Sequence, residues 1–550
     1  MSLVHLSSMG FALAACVIPV LLLLRRPASP RSPAILRNAW IAALLRMSVF
    51  VPLFALGAAG EVWAGLAGAI GLGAGVGLLG VVQRRAAIPC EEALPRGTAG
   101  LGPAIASVAA LFGLVGAEAA AFVVVATPLM GEGAGIPAFL ALVGGAGLYA
   151  VAAGRESVLH ATQALLAAIL IGLFGSAVFL LYLSASDLRP MPPHGAFALV
   201  AMAACGIAIL AYRQTKYVET PLLVAPDETS RWRRALARQT RLLQRFANVV
   251  ISVLAVVVVV IIGMEFYVLG VPDIAWNALL ALGTAPGIPA IGCIAIALLA
   301  VAHPLVDAVS RQAAATLAET ASSSGSGASD ASVRRAFRTV AGETALLGIF
   351  VLAFGAIAAL ATDLPQDALG LADFVRQLLA FEHGITDAAL SLLLVGAVAM
   401  AVSTMGMTVS AAMTVIRRDV ATTRRPGSAV ASAPDRMSIG LAAAGLAASA
   451  AIWIASGVPS AGVADARFFA LSLAFVCLQL STVPLVLGKL CGRQPAGGGI
   501  EHAIVVTGAA ASLACIAAWA GTGDPIWLWS AVPACLLAGL VPLATAWRPG

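Results

Sequence analysis

From Val249 to Gly263 the chain runs through fifteen residues with one serine hydroxyl as the only polar side chain. Such a stretch is far too long for the ~10-residue alternating segments of a membrane β-barrel. It matches the ~20 mainly apolar residues that an α-helix needs to cross a bilayer. Runs of this kind recur along all 550 residues, of which 61% are hydrophobic and 11% charged, at a mean hydropathy of +0.98. A soluble domain carries about a quarter charged residues, so the composition excludes a soluble fold. The expectation is an all-α polytopic membrane protein whose first partner is the lipid bilayer.

Apolar runs of span length fall at 5–24, 38–59, 62–82, 101–127, 136–152, 158–183, 196–212, 246–269, 276–305, 341–362, 386–416, 438–457, 468–488, 501–520 and 526–546, about 15 transmembrane helices. Positive charge concentrates on cytoplasmic loops. With the first loop cytoplasmic, 28 of the 32 Lys and Arg lie on that side, leaving Arg189, Arg376 and Arg467 outside and Arg46 within a span. This predicts a multi-pass protein of the cytoplasmic membrane, N-terminus outside and C-terminus inside. The run Leu6 to Leu24 has no basic flank before it and Arg25-Arg26 directly after, the order of a first span rather than of a cleaved signal peptide. The net charge of +6 is dispersed among loops, so no nucleic-acid partner is expected. The eight cysteines form no CxxC pair and read as small membrane hydrophobes.

Two places interrupt the apolar pattern. Leu56-Gly57-Ala58-Ala59-Gly60-Glu61 ends the second run, and Gly283-Thr284-Ala285-Pro286-Gly287-Ile288-Pro289 breaks the ninth. Non-helical backbone survives in a bilayer only where protein or water covers it. Paired interruptions in two halves of a chain mark the midplane site of secondary transporters. Gly57, Gly60, Thr284 and Gly287 are therefore candidates for a substrate or ion path; the alternative is that Gly and Pro are simply common near span ends.

The eleventh run carries the strongest local signal: Gly396 to Met407 (GAVAMAVSTMGM), then Ser410-Ala411-Ala412 and Arg417-Arg418-Asp419. It resembles the sodium:solute symporter family, whose corresponding helix reads Ala-x-x-Ser-Thr-x-Asp-Ser, then Ser-Ala or Ala-Ser, then Arg-Asp. Further pieces similar to that family follow its order: Leu56 to Gly65, Arg85 to Glu92, Tyr149 to Leu165, His303 to Asp307, and Asp363-Leu364-Pro365 with Phe374 to Leu379. The resemblance spans roughly residues 40 to 420. It implies a leucine-transporter-type core of five plus five inverted helices, with a Na⁺ ion at Ser403, Thr404 and Met400. On that scheme residues 1–37 are a peripheral span and loop, 38–183 the first repeat, 184–270 an inserted helix pair, 271–490 the second repeat and 491–550 a peripheral pair. The sequence departs from the pattern at His160-Ala161-Thr162, where the family has Trp-Thr-Asp, and at Gly406-Met407, where it has Asp-Ser. The coupling ion thus stays open between Na⁺, a proton and none. For the hydroxyl pair itself, the competing reading is hydrogen bonding back to its own helix.

Ionisable groups inside a bilayer are costly and usually functional. Glu118, deep in the fourth run between small residues, is a candidate proton or cation ligand, and Thr162 joins the path candidates. His160 and His303 read as solvated or capping groups, Glu265 as interfacial, and Arg46 as reaching out to the cytoplasm. The resulting functional expectation is a secondary transporter of a small organic solute, needing no cofactor. Two alternatives stand beside it: a degenerate transporter scaffold serving as sensor or assembly partner, and a membrane enzyme or carrier for lipid-linked intermediates. The sequence shows no HExxH, Asp-x-Asp loop or Ser/His/Asp grouping to support the enzyme.

Overall fold

A computed structural model describes residues 46–58, 101–130, 133–186, 330–362, 371–380, 384–417, 436–461, 466–482, 484–485, 498–524 and 526–545, with isolated positions between 65 and 73. All regular structure among them is helical: α1 (Met47–Ala58), α2 (Leu101–Met130), α3 (Gly135–Ser186), α4 (Asp330–Thr362), α5 (Leu371–Ala380), α6 (Gly384–Val415), α7 (Arg436–Ala455), α8 (Val458–Ala461), α9 (Ala466–Leu480), α10 (Gly498–Thr522) and α11 (Ile526–Thr545). Among the described residues, six stretches are long and apolar enough to cross a membrane: Leu101–Leu129, Gly135–Ala152, Ala341–Ala359, Asp387–Met413, Arg436–Ala455 and Gly499–Thr522. Each falls on a run expected from hydropathy. The expected runs at 5–24, 196–212, 246–269 and 276–305 lie outside the described residues.

One expected boundary does not form. The runs at 136–152 and 158–183 are a single helix, α3, of 52 residues, about 78 Å long at ~1.5 Å per residue. No proline stands between Pro137 and Pro190, and Arg155, Glu156 and Ser157 are compatible with a helix interior, so nothing in the chain forces a turn. The reversal at 153–157 on which the alternation of membrane sides depends is helix instead.

Without a hydrophobic drive between helices in lipid, association rests on close packing of small residues. Among the described helices, four crossings show this. On α1 and α4, a Cβ at Gly57 would lie 2.0 Å from the Leu352 carbonyl oxygen, and one at Gly355 would lie 2.1 Å from the Phe54 carbonyl oxygen. On α3 and α6, which run antiparallel, a Cβ at Gly172 would meet the Leu392 carbonyl oxygen at 2.5 Å and Gly396 Cα at 2.6 Å. On α2, Gly116 leaves room for the Trp453 indole of α7 and Gly113 for the Phe475 ring of α9. The α2–α7 contact is then fixed by hydrogen bonds: Trp453 Nε1 donates to the Gly113 carbonyl at 3.0 Å and Ser449 Oγ to the Phe112 carbonyl at 2.8 Å.

The core runs through α1 to α7, with Phe50, Phe54, Phe350, Phe354 and Phe374 at its centre. Phe54 contacts both Phe354 and Phe374, with ring centroids 5.5 and 5.8 Å away. That seats the buried face of α5 (Leu371, Phe374, Val375, Leu378) on α1 and α4. A smaller cluster joins α9, α10 and α11 around Leu473, Cys477, Val532 and Cys535, where the Cys535 thiol also donates to the Cys477 carbonyl at 3.2 Å. The α10–α11 turn is tight because Gly523, at φ +72°, donates back to the Trp519 carbonyl, and Asp524 Oδ1 then accepts from the Ile526 amide at the start of α11. Large apolar side chains such as Leu148, Val506, Leu537 and Val541 point outward, the surface that acyl chains cover.

Candidate functional site

Serine and threonine hydroxyls inside helices commonly bond back to a carbonyl one turn earlier. Four hydroxyls of the described helices follow this habit: Thr127 donates to Val123, Ser176 to Gly172, Ser391 to Asp387 and Thr408 to Thr404, each at 2.7 Å; Ser472 of α9 does not. Ser403 and Thr404 are the exception on α6. Both are buried, 1% and 0% exposed, and neither hydroxyl oxygen has a hydrogen-bond partner among the described residues. The competing reading, a pair bonded to its own helix, is thus absent from the structure. Leaving a buried hydroxyl unsatisfied costs about 1–3 kcal/mol, so two adjacent ones in the same condition point to a group that completes them.

Met400 is buried one turn earlier on the same helix. Its thioether is a poor ligand for a hard cation. Its carbonyl is the acceptor that Thr404 would use if it bonded back, and Thr404 does not use it. Met400, Ser403 and Thr404 thus place two hydroxyls and a preceding carbonyl within about one turn of α6.

Tyr149 of α3 reaches the same region. Its ring lies where a Cβ at Gly406 would be, 2.6 Å from Cε1, and Val158, more than two turns further along α3, lies 3.8 Å from that position. The Tyr149 hydroxyl is buried and has no hydrogen-bond partner among the described residues. The hydroxyls of Ser403, Thr404 and Tyr149 are neutral oxygens, and among the described residues no cluster of His, Cys, Asp and Glu is arranged to hold a metal ion.

Glu118 is fully buried at the middle of α2, and its Oε1 accepts from Arg46 Nε at 2.8 Å. The expectation that Arg46 reaches out to the cytoplasm is corrected: it is 5% exposed and turned into the core. The carbonyl of Arg46 receives the Val49 and Phe50 amides at the start of α1. The ion pair therefore ties the beginning of α1 to the middle of α2. In a low-dielectric interior a lone carboxylate is far costlier than a paired one, which is why the arginine turns inward.

Gly57 is a packing residue in what is described, its missing side chain giving room to the α4 backbone. Gly60, Thr284 and Gly287, with His303 and Glu265, lie outside the described residues. Thr162 and His160 fall within α3, but their side chains also lie outside them. Two residues were missed by the sequence reading. Glu343, 3% exposed in α4, was visible in principle as an acid just inside an apolar run. The place of Tyr149 had one faint signal, the glycine at 406 where the resembling pattern carries a side chain.

No protein-family model matches the chain, and no curated relative matches it. Among solved structures, the chain is similar to a Na⁺-coupled sialic acid symporter captured substrate-bound and outward-open, described as revealing a novel Na⁺ site. The two are 14% identical at a TM-score of 0.58, and the likeness covers 100% of this chain and 99% of that one. The chain therefore shares a transporter fold.

Proposed function

We propose that this chain is a secondary active transporter that moves a small organic solute across the cytoplasmic membrane by alternating access, driven by Na⁺ bound at Ser403 and Thr404. The observation that carries the reading is the pair of adjacent buried hydroxyls on α6, lacking the back-bond that Thr408 makes one turn later on the same helix. Hard cations take oxygen ligands, and the Met400 carbonyl supplies a third. The shared fold with a Na⁺-coupled symporter supports the reading, as does the motif resemblance to the sodium:solute symporter family, of which the chain would be a divergent member. In this proposal 38–183 and 271–490 form the two inverted repeats, the first with its fourth and fifth expected spans fused in α3. Gly57, Gly60, Thr162, Thr284 and Gly287 line or shape the path, and Glu118 belongs to it as a charge held by Arg46.

The test is uptake into proteoliposomes under an inward Na⁺ gradient, beginning with sialic acid and extending to other small organic acids, sugars and amino acids. Accumulation that depends on the gradient, and a rise of about tenfold or more in the Na⁺ requirement for Ser403→Ala or Thr404→Ala, equivalent to ~1.4 kcal/mol, are expected. Uptake indifferent to Na⁺ in all three proteins would remove the ion assignment. The sensor or assembly reading would gain if purified protein bound solute with no net transport.

A further inference from the structure

The Na⁺ reading leaves one buried polar group of the same region unexplained. Tyr149 sends its ring across the face of α6 at Gly406, and its hydroxyl ends in the interior without a partner among the described residues. Ser403 lies three residues before Gly406 and so shares that face of the helix one turn away. The ring occupies the space a side chain at 406 would need, since any Cβ there would lie 2.6 Å from it. Gly406 and Tyr149 are thus a matched pair, an absent side chain on one helix and a phenol inserted from another.

We infer that the Tyr149 hydroxyl is a further ligand of the ion site, bringing an oxygen from α3 to the Gly406 face of α6 that carries Ser403. This rests on the proposed function and adds to it a cross-helix donor and a selectivity. A site of neutral hydroxyls and carbonyls takes a small monovalent cation and disfavours Ca²⁺, whose sites rely on carboxylates. It also makes ion binding a bridge between α3 and α6, two helices that already touch backbone to backbone at Gly172 and Gly396.

The experiment uses the full-length protein purified in detergent, with NaCl replaced stepwise by choline chloride at constant ionic strength and thermal unfolding as the readout. A ligand of the folded state raises the unfolding temperature in a concentration-dependent way. The wild type is expected to gain stability with Na⁺ and not with Ca²⁺. Tyr149→Phe keeps the ring against Gly406 and should unfold at the wild-type temperature in choline, yet need about tenfold more Na⁺ or more for the same gain. If the wild type does not respond to Na⁺, the ion reading itself fails. If the wild type responds, Ser403→Ala loses the response and Tyr149→Phe keeps it unchanged, the ion reading stands and the role of Tyr149 is overturned.

A second variant keeps the test open should Tyr149→Phe fail to fold. Tyr149→Ala combined with Gly406→Asp exchanges the phenol for a carboxylate in the space the ring leaves. It should lower the Na⁺ requirement below that of Tyr149→Ala alone by about tenfold or more and introduce a response to Ca²⁺. A double variant indistinguishable from Tyr149→Ala in both ions would place the ring away from the site and sink the inference.

Discussion

A carboxylate in the middle of an apolar helix must find a partner or give up its charge, and Glu118 finds Arg46, 72 positions earlier in the chain, at 2.8 Å. The acid was legible in the sequence because its surroundings, Gly116-Ala117 and Ala119-Ala120, leave it no local partner. The identity of its partner was not legible, because no local pattern joins residues that far apart, and an arginine near a span end has an easy alternative in the interface. The same pairing governs what mutation should do. Removing one member strands a buried charge and should cost about 3–5 kcal/mol, whereas replacing both with apolar groups of similar size often costs little. Arg46→Met or Glu118→Leu alone should therefore lower the unfolding temperature of the purified protein markedly, and the double variant should recover most of the loss. A double variant that is as unstable as the sum of the singles would mean that the two residues are stabilised independently.

At the scale of elements, hydropathy located most described helices to within a few residues, because burial in lipid demands about twenty apolar residues whatever the fold. What it could not supply is which glycines touch a neighbour. Gly144 and Gly172 are alike in the sequence, each small, each within α3. A Cβ at Gly144 would meet nothing within 4 Å, while one at Gly172 would strike the Leu392 carbonyl oxygen at 2.5 Å. Gly144→Ala should thus be neutral or stabilising by up to about 1 kcal/mol, the ordinary helix preference for alanine over glycine. Gly172→Ala should destabilise, because backbone on α6 has to move. Unfolding temperatures of the two variants, measured side by side, decide it; equal values would mean that α3 and α6 are further apart than described. The continuous helix at 153–157 was missed for a related reason. Charge within an apolar run looks like a loop, and Arg155 and Glu156 do nothing to break a helix.

For the whole molecule, the likeness in fold to a symporter reaches across the entire chain, and the alternating access proposed above would make a demand on the buried pair of α6. Ser403 and Thr404 are 1% and 0% exposed here, so an ion can reach them only if some other conformation opens a water path. A reagent that modifies a cysteine at 403 reads the population of that conformation, since its rate scales with the fraction of open molecules. Ser403→Cys in a background lacking the eight native cysteines should react slowly with a membrane-impermeant thiol reagent, at a rate that changes with Na⁺. A cysteine at Val123, equally buried in α2 but packed in the core, should stay unreactive throughout. The contrast separates a working carrier from a static scaffold of the same fold. A carrier exposes 403 and shields 123. A scaffold that senses or assembles without transporting keeps both shielded in every condition, and Ser403→Cys unreactive with and without Na⁺ would decide in its favour.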